Sequence, residues 1–406
     1  MKLKTFLMAG AMSAVASVAT AECAFENEVE LRSLSAGFEA WNAVTDAWAE
    51  CGNVQAELNQ EFRTLQPQAF AADPSLYQIG GVSNGTITPL LNEGTIRPLD
   101  DLVEMYGQDL RPNQLIRING EIMAIAMMVN TQHLMYRSDI FEELGIEVPT
   151  TWDEVLEAAA VIQEAGVVDY PLGATMKTGW NLGEDFINMF LGYGGEFWNA
   201  DGTPNVNSEA GMNALETMMA MTEFMDPEYL VSDSTYVQQQ FQQGRIAMAN
   251  LWASRGSAMD LEGESQVVGL VDAAAAPMAI EGAAPATTLW WDGVVIASNI
   301  SDEEAEAAFR VVMEGLDREM VEANNDAAIW LIEGYEPGRL ALGAIATASA
   351  TPPPPAYPST SQMGLMHTAL GNELAAFFTG DASAEEALEA VEAAYTTAAQ
   401  EAGVLE

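Results

Sequence analysis

The chain has 406 residues, 49% of them hydrophobic, with 60 acidic side chains against 14 basic ones and a formal charge of −46 at pH 7. A field of that sign repels nucleic acid and anionic lipid surfaces, whose recognition needs clusters of Lys and Arg, so neither is expected as a partner. The length exceeds one ordinary core and implies two lobes of domain size.

Lys2 and Lys4 precede an apolar stretch from Phe6 to Val18 that leads into Ala19-Thr20-Ala21, the pattern of a secretory signal peptide cleaved near Ala21. Residues 1–21 are read as that signal, and the mature protein as periplasmic. It is expected to diffuse freely, because the acid Glu22, and not a small residue, precedes Cys23. Losing Lys2 and Lys4 leaves 12 basic residues against 60 acidic ones and makes Lys177 the sole lysine. No later stretch approaches about 18 consecutive apolar residues, so no membrane insertion is expected.

The alternation of periods predicts a strand at Val29–Leu34, a helix at Trp41–Glu50, a strand at Val54–Leu58, a segment around Arg63–Ala72 and a strand at Leu76–Ile79 before Thr88–Leu91. Such alternation argues for a parallel sheet covered by helices. The strand-to-helix return brings Cys51 near Cys23, and a disulfide there would contribute about 3 kcal/mol; two free buried thiols are the alternative. Capping boxes mark helix starts at Thr151 with Glu154, Ser301 with Glu304 and Ser383 with Glu386. Apolar stripes Phe309, Val312, Leu316 and Leu388, Val391, Tyr395 read as core. The dense apolar runs Ile122–Val129 and Val294–Ser298 are read as places where one lobe hands over to the other, and Pro352–Pro355 as a stiff surface or bridging segment.

Few residues offer catalytic chemistry. The two histidines, His133 and His367, lie in no HExxH or CxxC setting, no phosphate-cradling glycine loop is present, and Asp201–Asn207 lacks the glycine of a calcium loop. No metal and no cofactor are expected, and the protein is read as not an enzyme. One catalytic signature remains: Gly81-Val82-Ser83-Asn84-Gly85 fits G-x-S-x-G, so the alternative is a secreted serine hydrolase using Ser83, with His367 as its base. The same loop reads equally as a ligand cradle at the carboxyl ends of strands, offering Ser83 and Asn84.

The aromatic residues point to binding. Several of the nine tryptophans stand beside polar residues in expected loops: Trp41 by Asn42, Trp180 by Asn181, Trp252 near Arg255, and Trp290-Trp291-Asp292. An indole face covers the C–H surface of a sugar while amides, carboxylates and guanidinium bond its hydroxyls. Trp48, Trp152, Trp198 and Trp330 read as core.

At these residues the chain resembles the family 1 extracellular solute-binding proteins of ATP-binding-cassette importers, the group containing maltose-binding and many other sugar- and polyol-binding proteins. Leu134–Val155, LMYRSDIFEELGIEVPTTWDEV, is similar to the family's LYYNKDLFEKAGLDPPTTWDEF; Gly244–Ala249 to its GKAAM turn; Ile96–Leu102 to LEPLDDL; Trp291–Ser298 to its returning strand. The resemblance implies an α/β, two-lobe periplasmic binding protein fold of type II, its lobes discontinuous and joined by hinge strands. Lobe one would hold 22–126 with 287–325, and lobe two 127–286 with 326–406. It implies a monomer that delivers its solute to membrane permease subunits. Carried over residue by residue, Asn130 and Gln132 replace the Asp and Arg of the family's TDTR run, Trp252 matches its aromatic loop with Arg255 close behind, and Trp290 and Trp291 replace a Gly-Gly pair before Asp292. Phe38, Glu39, Trp41, Ser83 and Asn84 complete the expected rim from lobe one. A neutral sugar, polyol or short oligosaccharide is the first expected ligand. An anionic derivative held by Arg255, or a cation facing the aromatic rings with Asp292 or Glu39, are the alternatives.

Overall fold

The computed structural model describes residues 23–405, so the expected signal peptide lies outside the described residues. Eleven strands, labelled in chain order, form two sheets. The first sheet runs β11 (Ile329–Trp330), β5 (Glu121–Asn130), β10 (Trp290–Ile296), β3 (Ile79–Ser83), β1 (Leu31–Ser35) and β2 (Val54–Leu58), with β4 (Leu115–Ile118) also on β5. The second runs β7 (Tyr170–Gly173), β8 (Ile246–Trp252), β6 (Gln132–Arg137) and β9 (Val271–Ala274). Each sheet carries its own buried cluster, the first around Trp48, Phe70 and Phe309, the second around Phe186, Phe190 and Tyr395. The architecture is the expected two-lobe α/β one.

Local signals account for many elements. Thr151, Ser301 and Ser383 each accept the backbone N–H three residues on, while Glu154, Glu304 and Glu386 reach back to the cap, so three helices start where the capping boxes place them. The Cys23–Cys51 disulfide is formed and ties the entry of the chain to the end of the Glu39–Glu50 helix.

Two readings shift. Gly80 and Gly81 lie inside β3 and not in a loop after it. A Cβ on Gly81 would sit 2.3 Å from Ser35 Cβ and 2.7 Å from the Trp41 ring, so the glycine is required by a helix lying close on the sheet. The apolar runs at 122–129 and 294–298 belong to the first sheet. β5 pairs with β10 as far as Asn130, β6 begins at Gln132, and the boundary read at Ala126 falls within β5. The chain changes sheets at polar residues: Thr131 Oγ1 donates to the Thr288 carbonyl at 3.0 Å and lies 3.0 Å from Thr287 Oγ1. Strand interiors buried on both faces are apolar, whereas a crossing leaves the ladder and its polar groups need other partners.

Candidate functional site

The parallel strands β1, β2 and β3 end on one side of their sheet, and the residues that follow or close them, Ala36, Phe38, Gln60 to Thr64 and Ser83, line a cleft of about 530 Å³. That lies within the roughly 300–1,000 Å³ of small-molecule sites. From the end of β5, which runs parallel to β3, comes Asn130, and from β10, antiparallel to both, come Trp290 and Asp292; from the facing lobe come Lys177, Thr178, Trp180, Asn181, Asp233, Trp252, Ser254 and Arg255. The cleft therefore opens between the two sheets at their strand ends.

Side-chain alternation decides which half of the double tryptophan takes part. Trp290 and Asp292, two apart on β10, line the cleft, while Trp291 packs against the first core. Trp180, Trp252 and Trp290 form a continuous wall: Trp252 lies 6.3 Å from Trp180 and 5.7 Å from Trp290, and the latter two are 5.7 Å apart, edge to face. The wall is braced from behind. Trp290 Nε1 donates to Thr288 Oγ1 at 2.8 Å and to Glu184 Oε1 at 3.2 Å, and His367 stacks on Trp180 at 5.0 Å.

The polar lining is charged. Lys177 Nζ pairs with Asp233 at 3.3 Å, and Arg255 Nη1 donates to Gln238 Oε1 at 3.1 Å. Arg63, opposite, stands with its guanidinium carbon 4.5 Å from the centre of the Trp180 ring. Asp292 has no hydrogen-bond or ion-pair partner within the described residues, and burial pushes its carboxyl up to about 7 against the pull of Arg63. Burial lowers Arg255 from its ordinary value, opposed by Asp233, whereas Arg63 is exposed at the cleft.

Of the residues read from the sequence, Phe38, Ser83, Asn130, Trp180, Trp252, Arg255, Trp290 and Asp292 meet in this cleft. Five are placed elsewhere. Trp41 is 1% exposed in the first core, 6.4 Å from Trp48. Glu39 is exposed in the first turn of its helix, and Trp291 lies on the far face of β10. Asn84 donates to the carbonyls of Leu289 and Tyr357, which locks the exit of β3 onto the crossing segment. Gln132 is buried: its Nε2 donates to Thr175 Oγ1 and Asp185 Oδ1, and its Oε1 accepts from Asn188 and Asn250. Arg63 and Lys177 are cleft residues that the motifs missed. The scarcity of cations, 14 Lys and Arg against 60 acids in the whole chain, was the available signal.

The hydrolase alternative fails on hydrogen bonding. His367 Nε2 is 2.8 Å from the Trp180 carbonyl, which can only accept, so this nitrogen carries the proton; Nδ1 accepts the Tyr357 hydroxyl at 2.8 Å. Neither nitrogen is left for Ser83, whose Oγ lies 3.3 Å from Thr86 Oγ1. Gly85 is small because a Cβ there would sit 2.6 Å from the Trp290 ring.

The family model for bacterial extracellular solute-binding proteins matches residues 33–314. The chain belongs to that family. Curated relatives of this solute-binding protein include a probable ABC transporter-binding protein of Deinococcus radiodurans, 25% identical over 67% of this chain and 68% of that one. A probable amino-acid ABC transporter periplasmic-binding protein of Sinorhizobium fredii is 24% identical over 31% of this chain, and the match spans 27% of that relative's length. Among solved structures, the solute-binding protein from Agrobacterium radiobacter in complex with ribitol has a TM-score of 0.79 at 20% identity, covering 92% of this chain and 99% of that one. A protein from Agrobacterium vitis with bound D-mannitol gives 0.78 at 18% identity over 92% and 99%, and a maltose-bound T. maritima protein 0.75 at 17% over 92% and 100%. At these identities the structures establish the shared two-lobe fold. No helix of the described residues is long and apolar enough to cross a membrane.

Proposed function

We propose that this solute-binding protein is the periplasmic capture component of an ATP-binding-cassette importer. It takes a sugar, polyol or sugar derivative into the cleft and hands it to membrane permease subunits, as a monomer and without a chemical step. The observation that carries the reading is a cleft lined both by the indoles of Trp180, Trp252 and Trp290 and by the polar strand ends Ser83, Asn130 and Asp292. Such a pairing suits a ring with apolar C–H faces and an equator of hydroxyls. The ribitol, D-mannitol and maltose held by proteins of the same fold agree with it.

In this reading the first lobe is 23–130 with 290–330, the second 132–286 with the chain from 342 onward, and the polar crossings at Asn130–Gln132 and Thr287–Leu289 act as hinges. A ligand touching both lobes favours their closed arrangement by its differential affinity for it, and the permease recognises the closed pair. Thermal-shift screening of sugars, polyols and sugar acids tests the reading. A true ligand at about 100 times its Kd adds about 2.7 kcal/mol of stability and raises Tm. If no compound of these classes raised Tm, the proposal would be wrong.

A further inference from the structure

The charges of the cleft are distributed unlike those of the rest of the molecule. Three of the 14 Lys and Arg side chains, Arg63, Lys177 and Arg255, line it, whereas only three of the 60 carboxylates do, Glu61, Asp233 and Asp292. In a chain this acidic most cations find a carboxylate: Arg97, Arg117, Arg137, Lys177, Arg245, Arg318 and Arg339 all have one within 4.0 Å. Arg63 and Arg255 do not, although both face the cleft. Asp233, the acid whose charge acts on Arg255, is paired with Lys177.

Arg255 is also prepared for a ligand. It closes the short turn Ala253–Arg255 that follows β8, and its bond to Gln238 fixes the guanidinium while using one of five N–H donors. The remaining donors keep the planar fork that matches a carboxylate by two parallel bonds. Holding a positive group partly desolvated and without a counter-ion is unfavourable unless an anion arrives to share the site.

Resting on the reading of the cleft as a sugar site, we propose that its ligand is a sugar acid, a uronate or aldonate, whose carboxylate is received by Arg255 while its ring or chain lies along Trp252 and its hydroxyls meet Asp292. A single carboxylate suits the site better than a phosphate. The molecule's net negative field and the carboxyl of Asp292 oppose each added negative charge, and one guanidinium fork answers one planar carboxylate.

Isothermal titration of the mature protein with matched pairs tests this: glucose with glucuronate, galactose with galacturonate, sorbitol with gluconate, plus glucose 6-phosphate. At least one acid is expected to bind tenfold or more tightly than its neutral partner. Arg255→Gln is expected to weaken that acid by about 10- to 100-fold, the range for a charge-assisted bond, and the neutral partner by a clearly smaller factor. A neutral member binding as tightly as its acid, or equal losses for both on Arg255→Gln, overturns the assignment and leaves sugar capture standing. Tighter binding of the phosphate overturns the carboxylate. Failure of every member to bind a protein that still melts cooperatively overturns the sugar site itself and the charge assignment with it. The wild-type comparison decides the matter even where the variant does not fold.

Discussion

Arg63, carried by the first lobe, holds its guanidinium carbon 4.5 Å from the centre of the Trp180 ring, carried by the second. The indole is fixed from behind by His367, whose two ring nitrogens are committed to Tyr357 and to the Trp180 carbonyl. A cation over a braced aromatic face thus links the two lobes across the cleft with no ligand needed to bridge them.

Removing that link should favour opening. A cation–π contact contributes about 0.5 to 2 kcal/mol, so Arg63→Ala should weaken ligand binding by roughly 2- to 30-fold, by shifting the ligand-free protein toward an open form. Small-angle scattering should then show a larger radius of gyration for the ligand-free variant and an unchanged one for the saturated variant. Equal radii before and after the substitution would show that the contact does not govern opening.

Trp252 of the cleft wall and Trp291 of β10 should differ in what they support. Trp252 lines the cleft but is only 8% exposed within the second core, so Trp252→Ala should reduce affinity by about 1 to 3 kcal/mol and lower Tm as well. Trp291 packs on the first core from the other face, so Trp291→Ala should lower Tm by several degrees and leave affinity within about threefold. Calorimetric melting and titration of the two variants side by side would expose any exchange of these roles.

The disulfide gives a third expectation. Cys23 and Cys51 are 28 residues apart, and closing a loop of that size stabilises the fold by about 3 to 4 kcal/mol in the chain-entropy picture. Cys23→Ser with Cys51→Ser should lower the unfolding free energy by that amount while preserving ligand affinity, because neither cysteine lines the cleft. A loss of affinity in a folded double variant would contradict the separation.

What was legible in the chain was local. A capping box needs only four residues, so the starts at Trp152, Asp302 and Ala384 could be read directly, and the strand-to-helix return that pairs Cys23 with Cys51 spans fewer than thirty. What was not legible depended on distant neighbours. Gly81 looks like a loop residue until the Trp41 ring is found where its Cβ would be. Of Trp290 and Trp291 only one can face the cleft, but period two alone does not say which without knowing the side on which the second lobe packs. Arg63 sits in an unremarkable first helical turn, and its role exists only because another lobe sets Trp180 against it.

The buried acids beneath the tryptophan wall contribute to the pH dependence of stability, alongside the raised carboxyl of Asp292. Glu184 and Asp185, consecutive on the Trp180–Gly192 helix, are both buried; burial pushes Glu184 up to about 8 and Asp185 up to about 7. Glu184 accepts from Thr288 and Trp290 at the second crossing, Asp185 from Gln132 and Thr175 at the first. His367 Nδ1 lies 4.0 Å from Glu184 Oε2 but supplies no charge, since burial lowers it to about 4, and the raised Tyr357 hydroxyl stays neutral. Both acids therefore hold protons in the folded protein at pH values where the unfolded chain has released them. With more protons bound in the native state, stability is fully present below about pH 4 and falls as pH rises through 7 and 8. Self-repulsion among the surface carboxylates acts in the same direction, so the informative quantity is the difference from Glu184→Gln with Asp185→Asn, which keeps the shape and removes both titrations. Urea unfolding between pH 5 and 9 should show a shallower fall for the double variant than for the wild type. Parallel curves would mean that the two acids are already ionised in the folded state.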